Sequence, residues 1–310
     1  MNLSLEQQLA FDEFNSGNSI FITGPGGSGK TELIRQIFKS TKRRIQVCAL
    51  TGCAAILLEC KAKTIHSWAG IGIANGTVEE VVAKCTSNRF KMSQWTKTDV
   101  LIIDEVSMMS NEEKNTILGF YRSSKLIFCG DINYQLPFVL AHKKGVHTTF
   151  RMEGFDNIMK FDVDYRAKCS TLQNLKTHIR CCIDAGEMYV SNTLMHQFQM
   201  VDNTYVYDNY KIDDMILCNS NKKKDVYSDQ FKHMEKYYIT KSGQKYSCGE
   251  IIIGKPETTD CQIRHAYTVH SIQGETCRTN LYIEATGMDM RMFYTAISRA
   301  CYMNQIFLIR

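Results

Sequence analysis

The run Ser19-Ile20-Phe21-Ile22-Thr23-Gly24-Pro25-Gly26-Gly27-Ser28-Gly29-Lys30-Thr31 leads from a short apolar segment through a glycine-rich loop into an amphipathic stretch over Thr31–Phe38. A strand, a GxxxxGK[ST] loop and a helix in that order predict a phosphate-binding unit. The glycines let the loop fold around an anion, and backbone N–H groups and the helix N-terminus face it. In such a unit Gly24, Pro25, Gly26, Gly27, Ser28 and Gly29 form the cradle, Lys30 reaches the β/γ-phosphates, and the Thr31 hydroxyl ligates Mg²⁺. The bland alternative is a glycine turn capping a helix, and it is set aside because strand, lysine, hydroxyl and helix are all in place.

Outward from this loop, short apolar runs alternate with amphipathic stretches, the pattern of strands and crossover helices in mostly parallel sheets. The fold class is α/β. In the first half the pattern predicts strands at Ser19–Thr23, Ile45–Leu50, Val100–Ile103 and Leu126–Cys129, with helices at Thr31–Phe38, Cys53–Glu59, Val78–Ala83 and Glu112–Phe120. The style restarts with strands at Met215–Cys218, Tyr267–Val269, Asn280–Ile283 and Gln305–Ile309, and helices at Leu172–Ile183, Lys222–Met234 and Met290–Ala300. A second sheet follows, with a boundary near 150–165 where the pattern restarts. Open α/β sheets bind ligands at the carboxyl ends of their strands. There, Leu101-Ile102-Ile103-Asp104-Glu105 supplies two acids after an apolar strand. Asp104 would assist the metal, directly or through its water shell, and Glu105 would polarise an attacking water.

Composition agrees with a folded chain. At 310 residues, two domains are expected, and 44% hydrophobic with 22% charged residues excludes a disordered or collagen-like protein. No apolar run approaches the roughly 18 residues of a membrane span, and the opening MNLSLEQQLAFDEF lacks the basic-then-apolar pattern of a signal peptide. The expectation is an intracellular protein of a reducing compartment, nucleus or cytoplasm, not secreted, whose 13 cysteines are free thiols. No cysteine or histidine set has zinc-ligand spacing. The net charge of +5 suits a polyanionic partner without requiring one.

Over nearly the whole chain the sequence resembles superfamily 1 DNA helicases of the 5′-to-3′ group, PIF/RecD-like subfamily. The matching segments are Leu3-Ser4-Leu5-Glu6-Gln7, the phosphate loop, Ala49-Leu50-Thr51-Gly52-Cys53-Ala54-Ala55 and Thr64-Ile65-His66-Ser67-Trp68-Ala69-Gly70-Ile71-Gly72. They continue with Ile103-Asp104-Glu105-Val106-Ser107-Met108, Gly130-Asp131 through Gln135-Leu136-Pro137, and Asp164-Tyr165-Arg166. Thr268-Val269-His270-Ser271-Ile272-Gln273-Gly274 and Tyr294-Thr295-Ala296-Ile297-Ser298-Arg299-Ala300 complete the set. The resemblance implies two RecA-like P-loop domains, 1–160 and 161–310, with ATP and Mg²⁺ bound between them. Gln7 would read the adenine edge, Gln135 would sense the γ-phosphate, and Arg166 and Arg299 would face developing negative charge. Gln273 and Gly274 would contact phosphate or link it to the nucleic-acid site. Three departures stand out. Three residues separate Gly130-Asp131 from Gln135 where relatives have two, Phe138 replaces a second proline, and Ala167 replaces the glutamine usual after Arg166.

The partner the resemblance implies is single-stranded DNA or a tailed duplex, with RNA as an alternative substrate. Single strands are held by stacking platforms and a phosphate-tracking groove. Thr51 and Gly52 open a helix after a strand, where backbone N–H groups can bind a DNA phosphate. Thr64, His66 and Trp68 offer a hydroxyl, an imidazole and an indole close together, and His270 and Ser271 would do the matching task in the second domain. The basic runs Lys42-Arg43-Arg44 and Lys222-Lys223-Lys224 would add electrostatic support. A small insertion at about 71–98, with Phe90 and Trp95, is the candidate wedge for splitting a duplex. A reduced insertion at about 238–264 replaces the family's SH3-like module. The leading expectation is an ATP-dependent DNA helicase, acting as a monomer or with an accessory replication or repair protein. Two alternatives stand beside it: a single-strand-binding ATPase switch without robust unwinding, and a small-molecule P-loop kinase.

Overall fold

The central strands of the first half are apolar in long unbroken runs, such as Val100–Ile103 and Leu126–Cys129, so both faces of their sheet must be covered. The computed structural model describes residues 3–71, 77–120, 125–137, 148–243, 245, 246 and 248–310, and it divides into units Met1–Val163 and Asp164–Arg310. The first unit runs α1 (Leu5–Ser16), β1 (Ile20–Thr23), α2 (Lys30–Ser40), β2 (Ile45–Ala49), α3 (Gly52–Leu57), β3 (Lys63–Thr64) and α4 (Ile65–Ala69). It continues with α5 (Val78–Thr86), α6 (Arg89–Thr96), β4 (Val100–Asp104), α7 (Asn111–Phe120), β5 (Lys125–Gly130) and β6 (Ile158–Lys160). Its sheet has the order β3-β2-β4-β5-β1-β6, with every pairing parallel.

Because side chains alternate across a strand, each strand feeds two cores. Ile20, Ile22, Val47, Ala49, Val100, Ile102, Ile127 and Cys129 face a cluster completed by Phe14 and Ala10 of α1 and by Leu33, Ile34 and Ile37 of α2. Phe21, Cys48, Leu101, Ile103, Leu126 and Phe128 face the other side, against Trp68, Val81, Trp95 and Ile117. Helix α1 starts at a capping box between Ser4 and Gln7 and stops at Gly17, which is left-handed at φ 105°.

Trp68 belongs to this core rather than to a stacking surface. Its side chain is only 3% exposed, and its ring lies 4.7 Å from that of Trp95. Trp95 is buried too, with its indole N–H donating to the Ala69 carbonyl. Of the two wedge candidates only Phe90 is presented to solvent, at 70% exposure. Trp68→Ala is therefore expected to lower the unfolding free energy by about 3–5 kcal/mol in a urea titration, as removal of a packed core aromatic does. A surface platform would change it by only about 0.5 kcal/mol or less.

The second unit contains β7 (Gln199–Val201), β8 (Met215–Cys218), β9 (Lys236–Ile239), β10 (Ile251–Ile253), β11 (Cys261–Ile263), β12 (Ala266–Thr268), β13 (Leu281–Glu284) and β14 (Ile306–Ile309). Its helices are α8 (Ser170–Asp184), α9 (Asn192–Met195), α10 (Asn203–Asn209), α11 (Asn221–Gln230) and α12 (Met290–Ile297). A parallel sheet of order β12-β8-β13-β14-β7 forms the unit's centre. Residues 236–263, most of which carry no strand or helix expectation from sequence, form a separate antiparallel sheet of order β10-β9-β11. That small sheet is rooted in a buried polar knot. Lys236 Nζ donates to Tyr210 Oη and to the Asp214 carbonyl, and Tyr210 Oη lies 3.1 Å from His265 Nδ1.

His265 is fully buried and its Nε2–H donates to the Met234 carbonyl, which sets its tautomer and orientation. Burial, reinforced by the nearby Lys236 and His233 charges, lowers its pKa from 6.5 to about 4 despite the Met234 bond. Between those values the unfolded chain holds a proton that the folded chain refuses, so stability rises with pH. Unfolding titrations at pH 6.5 and 4.5 are expected to differ by about 2 kcal/mol more in the native chain than in His265→Gln.

Candidate nucleotide and nucleic-acid site

All strands of the first sheet are parallel, so their carboxyl ends share one edge, and the predicted residues gather there. The Gly24–Thr31 loop follows β1, Thr51 and Gly52 follow β2, Thr64 ends β3, Asp104 ends β4, and Gly130 ends β5 with Asp131 directly after it.

The loop is built as a cradle. Gly24, Gly27 and Gly29 have φ of 155°, 95° and 83°, and a Cβ on Gly24 would lie 2.2 Å from the Phe161 carbonyl oxygen. Only glycine fits that close approach. Lys30 is buried, and its ammonium donates to the carbonyls of Gly24 at 2.7 Å and Pro25 at 3.0 Å and to Ser28 Oγ at 3.3 Å. Gln7 donates from Nε2 to the Gly29 carbonyl, while its Oε1 accepts the Ser4 N–H. Its amide thus ties α1 to the loop.

Asp104 is buried, with Oδ1 accepting the Glu105 N–H at 2.8 Å. Burial first, and the Glu105 charge second, push its carboxyl well up from the ordinary value, while the Lys30 ammonium opposes them. A carboxyl so penalised for ionising, beside a second acid and a hydroxyl-bearing loop, fits a site completed by a divalent cation. Glu105 itself is held left-handed, at φ 57° and ψ 38°, a backbone state that costs a non-glycine residue about 1–2 kcal/mol and is common at functional sites. The three-residue spacer before Gln135 is absorbed by a turn in which Asp131 Oδ1 accepts the Tyr134 N–H, and Gln135 is buried after it.

Thr51 and Thr64 both cap helices, accepting from Ala54 N and Ser67 N. His66 Nε2 lies 2.8 Å from Glu113 Oε1, and buried Glu113 also accepts the Ser110 N–H through Oε2. Sequence reasoning missed Glu113 as a partner, although Ser110-Asn111-Glu112-Glu113 is a legible capping box. Gly72 and Phe138 lie outside the described residues.

In the second unit Arg166 and Arg299 come together. Arg166 Nη1 donates to the Ser298 carbonyl at 2.9 Å. Arg299 is fully buried, with bonds from Nε to the Thr295 carbonyl, Nη1 to the Glu275 carbonyl and Nη2 to Ser298 Oγ. The segment from His270 to Glu275 links this pair to the end of β12. Ser271 Oγ bonds the Thr268 carbonyl, Gln273 is buried, and Gly274 takes φ 98°. Burial lowers the His270 pKa, with Asp289 opposing. Burial likewise raises Glu275, opposed first by Arg299. The basic runs are partly neutralised: Arg44 pairs with Asp99, Lys223 with Glu284 and Lys224 with Asp225.

Residues 2–153 match the sequence model of PIF1-like helicases. The ATP-dependent DNA helicase PIF1 of Candida albicans is 34% identical over 174 residues, 52% of this chain and 19% of that protein. The ATP-dependent DNA helicase Pif1 of Bdellovibrio bacteriovorus is 37% identical over 113 residues, 36% of this chain and 25% of that protein. The alignments therefore take in a quarter or less of those relatives' length. Among solved structures, the Pif1 helicase from Candida albicans aligns over 100% of this chain and 94% of its own, at 18% identity and a TM-score of 0.79. Bacteroides Pif1 in complex with ADP-AlF3 and single-stranded DNA aligns over 99% and 92%, at 17% identity and a TM-score of 0.76. The fold is α/β and RecA-like.

Proposed function

From a chain whose residues 2–153 carry a PIF1-like helicase domain, we propose an ATP-dependent DNA helicase or translocase that moves 5′-to-3′ on single-stranded DNA by hydrolysing Mg-ATP. One observation carries this reading. A single sheet edge joins the Lys30 loop and the acids Asp104 and Glu105 to the helix-capping residues Thr51 and Thr64. Fuel-site residues and strand-contact residues are thus mounted on one rigid element.

The chemistry follows from the residues. Lys30 would neutralise charge on the β/γ-phosphates, and Thr31 and Asp104 would hold Mg²⁺, Asp104 directly or through water. When bound there, Mg²⁺ would neutralise charge on the phosphates. Glu105 polarises the attacking water, and Gln135 registers the γ-phosphate. Arg299 and Arg166 stabilise the charge that spreads over the γ-oxygens in the transition state. Gln273 and Gly274 carry that state along their loop to His270 and Ser271, which grip the strand with Thr51, Gly52, Thr64 and His66. Phe90 is the wedge. Among the described residues no helix is long and apolar enough to cross a membrane, and the proposed setting is nucleus or cytoplasm, as a monomer or with a replication or repair protein.

The test is strand separation of duplexes bearing a 5′ or a 3′ single-stranded tail, in DNA and in RNA. Opening of the 5′-tailed DNA alone, lost in Lys30→Ala, is expected. ATP turnover stimulated by DNA without separation of either duplex would replace the helicase with a single-strand-binding ATPase switch.

A further inference from the structure

Lys176 occupies a core position of an amphipathic helix. It shares the buried face of α8 with Leu172, Leu175, Ile179 and Cys182 and is 2% exposed. Its Nζ is ion-paired with Asp164 through Oδ2. The other carboxylate oxygen of Asp164 accepts the backbone N–H groups of Arg166 at 3.0 Å and Ala167 at 3.2 Å. Gln173, on the preceding turn of α8, donates to the Ala167 carbonyl at 2.8 Å. Arg166 in turn donates to the Ser298 carbonyl, and Ser298 Oγ accepts from Arg299. One chain of polar contacts therefore runs from Lys176 through Asp164, Arg166 and Ser298 to Arg299.

The charges in this chain sense one another. Burial lowers Lys176 to about 8, Arg166 and Arg299 push the same way, and Asp164 opposes them. Burial works against the Asp164 carboxylate, but the Lys176 ammonium and the two backbone donors outweigh it and hold its pKa below the ordinary value. A buried ion pair is a poor source of stability compared with apolar side chains of the same size, so a lysine here is better explained by what it orients.

We propose that Lys176 is a positioning residue for ATP hydrolysis: by clamping Asp164 it fixes the backbone at Arg166, and so the orientation of the guanidinium proposed above to meet transition-state charge. The inference rests on the nucleotide-site reading above. It assigns α8 a part in the reaction that none of the quoted sequence segments covers, and it gives Arg166 a support where the usual following glutamine is Ala167.

The test is steady-state ATP turnover at saturating single-stranded DNA. Lys176→Met is expected to lower kcat roughly 10–100-fold, the scale of a displaced catalytic group, with KM for ATP within about twofold, and Lys176→Arg to restore most of the loss. In an Arg166→Ala background the same change is expected to cost nothing further, as required if Lys176 acts through Arg166. Should Lys176→Met fail to fold because Asp164 is left unpaired, Asp164→Ala/Lys176→Met carries no orphaned charge and is expected to show the same kcat loss. Native-like kcat in that folded double variant, or full additivity with Arg166→Ala, would overturn the proposal. Native chain without DNA-stimulated turnover would sink the nucleotide-site reading itself, a result distinct from either.

Discussion

Arg299→Ala is expected to reduce DNA-stimulated ATP turnover by about 10³–10⁵-fold, the range for losing a guanidinium that meets transition-state charge. The effect should lie in kcat, with nucleotide affinity nearly unchanged, because in the proposed role the charge it would meet develops only during the reaction. Arg299 is suited to this because its guanidinium is already immobilised by Thr295, Glu275 and Ser298, so little side-chain freedom remains to be lost. Arg299→Lys is not expected to rescue turnover, since a point charge does not reproduce the planar fork. Single-turnover hydrolysis with each variant measures it. A fall of less than about tenfold, in a variant that still melts cooperatively, would remove Arg299 from the reacting site.

Lys30→Ala is expected to cost roughly 10²–10³-fold in turnover, the scale of removing one preorganised donor from a developing charge. Unlike Arg299→Ala, Lys30→Ala is also expected to weaken nucleotide binding, because in the proposed role Lys30 would meet phosphate charge present before the reaction begins. Its ammonium satisfies the Gly24 and Pro25 carbonyls and Ser28 Oγ, and in the proposed role it would exchange those partners for phosphate oxygens. Titration of a fluorescent ATP analogue alongside turnover separates the two effects. Unchanged binding and unchanged turnover would leave the loop without its proposed role.

Much of this was legible because the deciding residues are local. The strand–loop–helix run around Lys30 announces its backbone through glycines that must take positive φ, and β4 announces Asp104 by ending an unbroken apolar run. Elements that depend on tertiary partners were not legible. Strand β3 is two residues long, and β6, with Ile158 and Lys160 exposed, exists by pairing with β1. The β9–β11 sheet has no periodic apolar face long enough to mark it. Its root, the knot of Lys236, Tyr210 and His265, joins residues far apart in the chain.

The same division holds within the site. His66 is visible in its motif, but Glu113, 47 positions away, is visible as its partner only once α7 is folded. Trp68 illustrates the reverse error: an indole in a nucleic-acid motif looks like a platform until Trp95, from another helix, is found against it. Lys176 reads as one polar residue among many in α8, and only the placement of Asp164 turns it inward.

The most direct test is ATP hydrolysis by the purified chain with Mg²⁺, measured with and without a single-stranded oligodeoxythymidine. Turnover is expected to rise many-fold on adding the oligonucleotide and to fall roughly 10²–10³-fold in Lys30→Ala in either condition. Turnover that is the same with and without the strand would contradict a motor in which fuel and track share one sheet edge.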